Sequence, residues 1–128
     1  MLAGRVLGRW WLRRLRPLIL EIRTYRVSSG QESEFVGLMR TEALPLLRAQ
    51  HIDVVDCGVS LDPHDGDPRD AYLIRAFADE ATRERAELAF YSSGAWRDGP
   101  REAVLALIES FHTVILEVPN SVVDALRR

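Results

Sequence analysis

"LILEIRTYRVSSGQESEF", Leu18 to Phe35, is the stretch on which the fold turns. Its first ten residues alternate. Leu18, Leu20, Ile22 and Thr24 fall on one side of an extended chain, and Glu21, Arg23 and Tyr25 on the other. Period two among β-formers describes a strand with one apolar face. Ser28, Ser29 and Gly30 then supply a turn, and Glu32 and Glu34 suit the positive end of a helix. From there the period lengthens. Phe35, Leu38, Met39, Ala43, Leu46 and Leu47 make one helical stripe, with Pro45 inside it, so the spacing predicts a helix kinked or divided near Leu44.

The rest of the chain repeats this change of period. "IDVVDCGVSL", Ile52 to Leu61, reads as a second strand with a bulge or bend at Gly58. "DPHDGDPRD", Asp62 to Asp70, reads as a loop, and "AYLIRAF", Ala71 to Phe77, as a third strand. Asp79 can cap a helix over Glu80 to Tyr91. Ser92 to Asp98 break that helix, Pro100 opens another running to about Ser110, and "FHTVILEV", Phe111 to Val118, is the fourth strand. The order is β-α-β-β-α-β with an extra short helix before the last strand. It predicts an α+β, ferredoxin-like split βαβ with an antiparallel four-stranded sheet.

Such a sheet carries helices on one face, and the other face must be solvated or covered. The side of the first strand bearing Ile19, Glu21, Arg23, Tyr25 and Val27 has apolar ends and a charged centre. We expect it to be the face that a second copy covers, giving a homodimer with two sheets stacked or joined as a dimeric α/β barrel.

Composition narrows the function classes. The 128 residues suffice for one domain with its own core. All 17 cationic side chains are arginine, so Schiff-base and P-loop lysine chemistry is excluded. Residues 1–17 hold five arginines and no acid, whereas residues 18–128 carry a net charge of −7. An acidic body argues against nucleic acid as a partner. The basic start, "MLAGRVLGRWWLRRLRP", suits either an extension outside the fold or a membrane-surface or organelle-targeting segment, with Pro17 as the boundary. We expect the ordered domain to span 18–118, with 119–128 as a tail holding a helical turn or two. The one cysteine, Cys57, lies among valines and fits a small core residue in a reducing compartment, so a cytoplasmic location is expected, with organelle targeting as the alternative.

Candidate chemistry is sparse. His51, His64 and His112 are scattered, and the loop acids Asp62, Asp65 and Asp67 do not follow the calcium-loop spacing. No metal and no cofactor are expected. His112 is the one group suited to proton transfer, or else a histidine bonding a nearby carbonyl. Tyr91 and Trp96 either line a pocket rim or anchor an irregular link. Arg23 and Arg75 sit in strand centres, where each either pairs with an acid or holds an anionic ligand. Tyr25 joins Arg23, Arg75, Tyr91 and Trp96 as a candidate contact to a small apolar or anionic ligand.

"LEIRTYRVSSGQESEF", "ALPLL" and "FYSSGAWRDGPREAVLALIESFHTVIL" together resemble the NIPSNAP family of the dimeric α/β-barrel superfamily, over about residues 18–118. The residues that carry the likeness are Glu21, Arg23, Thr24, Tyr25, Gly30, Phe35, Leu44, Pro45, Leu46, Trp96, Arg101 and His112. The family often has Pro-Gly where Ser29-Gly30 stands, and a tryptophan on the strand that here reads "YLIRAF". The resemblance implies a ferredoxin-like subunit paired into a barrel, in a family with no agreed biochemical activity. The wider superfamily holds cofactor-independent monooxygenases, haem-degrading enzymes and small-molecule binders. Three functions are therefore expected to compete. One is a small-molecule-binding or accessory module. Another is a cofactor-independent oxidoreductase, monooxygenase or isomerase, using His112 with Arg23, Tyr25 or Tyr91 on a carbonyl or phenolic substrate. The third is a membrane- or protein-docking module working through the basic N-terminus.

Overall fold

The computed structural model describes residues 16–61 and 69–127. The basic start and the acidic loop with His64 lie outside the described residues, apart from their edges. The elements are β1 (Pro17–Val27), α1 (Glu32–Leu38), a π-helical turn (Met39–Ala43), α2 (Leu44–Ala49), β2 (Asp53–Val59), β3 (Asp70–Phe77), α3 (Glu80–Tyr91), α4 (Gly94–Arg97), α5 (Arg101–Leu107), β4 (Ile108–Pro119) and α6 (Asn120–Leu126). The sheet is antiparallel with order β2-β3-β1-β4, the ferredoxin-like arrangement.

Local chemistry accounts for most boundaries. Gly30 turns the chain out of β1 with a φ of 77°, a conformation that costs glycine nothing. Pro45 acts as expected, but by a particular device. The helix widens before it: the Leu44 N–H reaches the Met39 carbonyl in an i→i+5 bond, and a fresh α-helix then starts with the proline in its first turn. Asp79 caps α3, its carboxylate accepting the Thr82 N–H at 2.7 Å.

Some expectations need correction. Gly58 is no bulge. It pairs regularly with Tyr72, and the irregularity falls between Val54 and Asp56. Glycine is needed at 58 for room, since a Cβ there would come 2.8 Å from the Tyr72 hydroxyl, which donates to Asp56. The break after α3 contains a helical turn, α4, capped by Ser93. Helix α5 ends at Leu107, three residues earlier than its apolar stripe suggests. Ile108 joins β4 instead, because pairing with β1 continues past a bulge to Val27.

The largest correction concerns the faces of the sheet. The side of β1 carrying Ile19, Glu21, Arg23, Tyr25 and Val27 lies under the helices. Tyr25 and Val27 belong to the main core with Phe35, Met39, Leu44, Leu47, Phe90, Trp96 and Val104. Leu18, Leu20 and Ile22 look the other way and form a smaller cluster with Val55, Ile74, Ala76, Val118 and Val123. The reason is electrostatic. Charged strand centres tolerate burial only with partners, and α3 supplies them, whereas an apolar stripe needs only another apolar surface. Helix α6 covers part of this second face through Val123, and Arg127 ties its end to Asp53 by two hydrogen bonds of 2.8 and 2.6 Å. Beyond α6 the face is open. On β4, Val114 is 41% and Leu116 40% exposed.

Candidate functional site

Helix α3 has almost no apolar stripe; Phe90 is its one buried residue. It turns Arg83, Glu87 and Tyr91 toward the sheet instead, at successive four-residue steps along one face. Below them Glu21 and Arg75 stand directly opposite each other on β1 and β3, both fully buried. Arg75 Nε donates to Glu21 Oε1 at 3.0 Å, and Arg75 Nη2 donates to the same oxygen. Arg83 Nη1 donates to Glu21 Oε2 at 3.0 Å and to Glu87 Oε2 at 2.7 Å, while its remaining N–H groups hold Glu80. Arg75 Nη1 donates to the Tyr91 hydroxyl at 2.9 Å, and Arg23 Nη1 donates to it at 3.2 Å. Arg23 Nε turns the other way, to Thr113 Oγ1 at 3.1 Å on β4, and its guanidinium lies 5.0 Å from the centre of the Phe111 ring. The result is one continuous network across three strands and a helix.

This network forms the polar end of a cavity of about 400 Å³ between sheet and helices. Arg23, Glu87 and Tyr91 border it. Its other walls are largely apolar and include Tyr25, Met39, Leu73, Phe90, Trp96 and Ile108. Trp96 packs against Phe90 and Tyr91 with ring centres 5.4 and 5.6 Å apart, so it both anchors the link after α3 and lines the chamber. Tyr25 packs against Phe35 with the rings tilted and is buried, which pushes its phenol up. Arg101 borders the cavity and also a polar hollow beside it, shared with Tyr91, Ser92, Arg97 and Asp98.

The two neighbouring carboxyls, Glu21 buried and Glu87 half-buried, titrate in opposite directions. At Glu87 burial, then the hydrogen bond with Glu21, raises the group from 4.5 to about 7. At Glu21 burial also acts to raise it, but the hydrogen bond from Glu87 and the charge of Arg75 prevail and hold it well below the usual carboxylate range. A folded-state pKa above the unfolded one stabilises the fold fully below about 4.5, and that contribution is lost as pH rises through about 7. Glu21 acts in the opposite sense, its contribution fading only as pH falls below the ordinary range. Glu87→Gln fixes the protonated hydrogen-bonding pattern at every pH. Its urea-unfolding free energy is therefore expected to lack the decline of on the order of 2 kcal/mol that the parent chain shows between pH 5 and 7.5. Parallel profiles for the two proteins would refute the raised titration of Glu87.

Of the residues singled out from sequence, the fold brings Arg23, Tyr25, Tyr91 and Trp96 to one chamber. Arg75 lies beneath it, fully occupied by Glu21, Glu87 and Tyr91. His112 stands apart. Its neighbours Phe111 and Thr113 meet Arg23 on the helix side, so the imidazole points to the open face. There it is exposed and borders a shallow hollow with Thr24, Arg26 and Asp70. The grouping of His112 with Arg23 and Tyr91 does not form. His51 adopts a φ of 61° at the end of α2. Among the described residues no cluster of three or more His, Cys, Asp or Glu could hold a metal, and no helix is long and apolar enough to cross a membrane. Burial pushes Cys57 up to about 11, which suits a packed core thiol. Sequence reasoning missed Glu87. The signal was a helix without an apolar stripe, which must face polar groups.

Sheet order, helices on one face and a chamber beneath them define a ferredoxin-like α+β protein with a cavity between sheet and helices. The NIPSNAP family model matches residues 20–121, and the chain belongs to that family. No curated protein matches the chain. Among solved structures, a NIPSNAP domain protein of Burkholderia xenovorans, described as uncharacterized, aligns at TM-score 0.67 and 19% identity, over 77% of this chain and 91% of its own. A NIPSNAP family protein of Agrobacterium tumefaciens aligns at TM-score 0.67 and 21% identity, over 77% and 90%. Another from the same organism, described as of unknown function, aligns at 0.68 and 20%, over 80% and 88%. At such identities the likeness establishes the shared fold.

Proposed function

We propose that this chain is a small-molecule-binding module. The observation that carries this reading is the chamber itself: about 400 Å³, mostly apolar, with Arg23, Glu87 and Tyr91 converging at one end. Pockets of this volume with a few placed polar groups are the usual form of a ligand site. The ligand is a compact amphipathic molecule, its aromatic or branched body among Met39, Leu73, Phe90 and Trp96. Its polar group meets Arg23 and Tyr91, and an anionic group reaches Arg101. A second copy of the chain covers the open face of the sheet, in a reading supported by Val114 and Leu116, apolar yet two-fifths exposed. This face is the opposite of the one that strand charge suggested. A cytoplasmic setting is supported by the lone, buried Cys57.

The test is thermal unfolding against a panel of aryl and branched-chain carboxylates and their neutral amides. A ligand at a hundred times its Kd is expected to add about 2.7 kcal/mol, which moves Tm by several degrees. Leu105 borders the cavity and is 43% exposed, so Leu105→Trp can fill the chamber from its mouth without disturbing the core. That variant is expected to melt normally and to respond to nothing in the panel. Absence of any shift in the parent chain, or an unchanged shift in the filled variant, overturns the reading.

A further inference from the structure

Glu87 and Tyr91 lie one turn apart on the same face of α3, and both border the chamber. They are prepared for opposite tasks. The Tyr91 oxygen accepts an N–H from Arg75 at 2.9 Å and another from Arg23 at 3.2 Å. Its lone pairs are thereby occupied, and the hydroxyl proton is left to donate. Glu87 Oε1 is buried and, though 2.7 Å from Arg75 Nη2, accepts no aligned hydrogen bond. A hydroxyl donor backed by two guanidinium groups and a carboxylate oxygen held by an ion pair, with no aligned hydrogen bond, thus stand together over an apolar chamber.

We infer that the chamber performs proton transfer on enolisable carbonyl compounds, with Glu87 as the base and Tyr91 as the donor to the carbonyl oxygen. The inference rests on the ligand-binding reading and deepens it by naming the substrate class: a small carbonyl compound with an apolar body and a carboxylate. The carboxylate of Glu87 removes a proton from the carbon next to the carbonyl. The C–H electron pair becomes the new C=C bond, and the carbonyl π pair moves onto oxygen. Tyr91 donates its hydrogen bond to that oxygen as charge develops, and Arg23 and Arg75 behind it stabilise the charge. The proton held on Glu87 then passes to the oxygen, giving the enol, or back to carbon. Atoms and electrons balance, and no oxidant or reductant takes part.

The surroundings of Glu87 suit the task. Glu21 and Arg23 face it from β1, Arg75 from β3, and Arg83 and Tyr91 from its own helix. On β4, Thr113 and Phe111 engage Arg23, and on α5 Arg101 borders the same chamber. Burial and the neighbouring Glu21 bring Glu87 to about 7, a stronger base than an ordinary carboxylate at neutral pH.

The test uses phenylpyruvate with the full chain. Proton NMR in deuterium oxide follows exchange at its C3 methylene, and thermal unfolding follows binding. The chain is expected to accelerate exchange on the order of 100-fold over buffer, with a rate that rises as pH passes about 7. Glu87→Gln is expected to abolish the acceleration while still being stabilised by phenylpyruvate, and Tyr91→Phe to lose most of it. Exchange at the buffer rate in the parent chain overturns the inference, as does unchanged exchange in a folded Glu87→Gln variant. Should that variant not fold, the pH profile of the parent chain and the Tyr91→Phe rate decide alone; a flat profile or an undiminished rate overturns it. Stabilisation without exchange removes the proton transfer and leaves ligand binding standing.

Discussion

Arg75→Met is expected to lower the unfolding free energy by about 3–5 kcal/mol, because it leaves a buried carboxylate with less compensation than its burial requires. Glu21 has no exposed surface and takes two of its hydrogen bonds from Arg75. Arg83 still reaches its other oxygen, but Glu87, already the more weakly ionised of the pair, loses a close cationic neighbour. Tyr91 loses one of its donors as well. Domains of this size are stable by roughly 5–15 kcal/mol, so the variant should melt far below the parent chain in calorimetry. The double variant Glu21→Leu, Arg75→Met removes both buried charges. It is expected to recover most of the loss, since an apolar pair can replace an ion pair at little cost. A single variant within 1 kcal/mol of the parent would show that the two groups are better solvated than their burial implies.

Trp96→Ala is expected to cost a similar amount, about 3–5 kcal/mol, by a different route. The indole is buried against Phe90 and Tyr91 and closes one wall of the chamber. Its backbone N–H is held by the Ser93 hydroxyl at 3.3 Å, so side chain and turn fix each other. Deletion enlarges a space that already exists, and the walls cannot close over it. The measurement is urea unfolding combined with ligand-induced stabilisation. Stability and the ligand response should fall together. A variant that loses stability but keeps the response would show that the indole only anchors the link.

Much of this architecture was legible in the residues. The alternation over Leu18–Val27, the Asp79 cap and the Pro45 interruption each express a rule of local geometry, and the structure follows them. The choice of face was misread. Period two separates two sets of side chains but does not say which set meets the helices. On β1 the polar set does, because α3 supplies Glu87 and Arg83 to Glu21, and the nearer of these, Arg83, is 62 residues away in sequence. His112 stood out as an isolated titratable group beside a strand, yet alternation with Phe111 and Thr113 turns it from the chamber. Glu87 was hidden for the opposite reason. One acid among several on a charged helix carries no mark until the sheet beneath it is known to be charged.

The widened turn at Met39–Ala43 has a geometric consequence for the helical wall of the chamber. In a regular α-helix, residues four apart overshoot a full revolution and drift sideways. A turn closed by an i→i+5 bond rotates less per residue and offsets that drift, and Met39, Ala43 and Leu47, at four-residue steps across it, all border the chamber. The wall's position is thus written into the backbone that ends at the proline, while the depth of the room is left to whichever side chains occupy those three places.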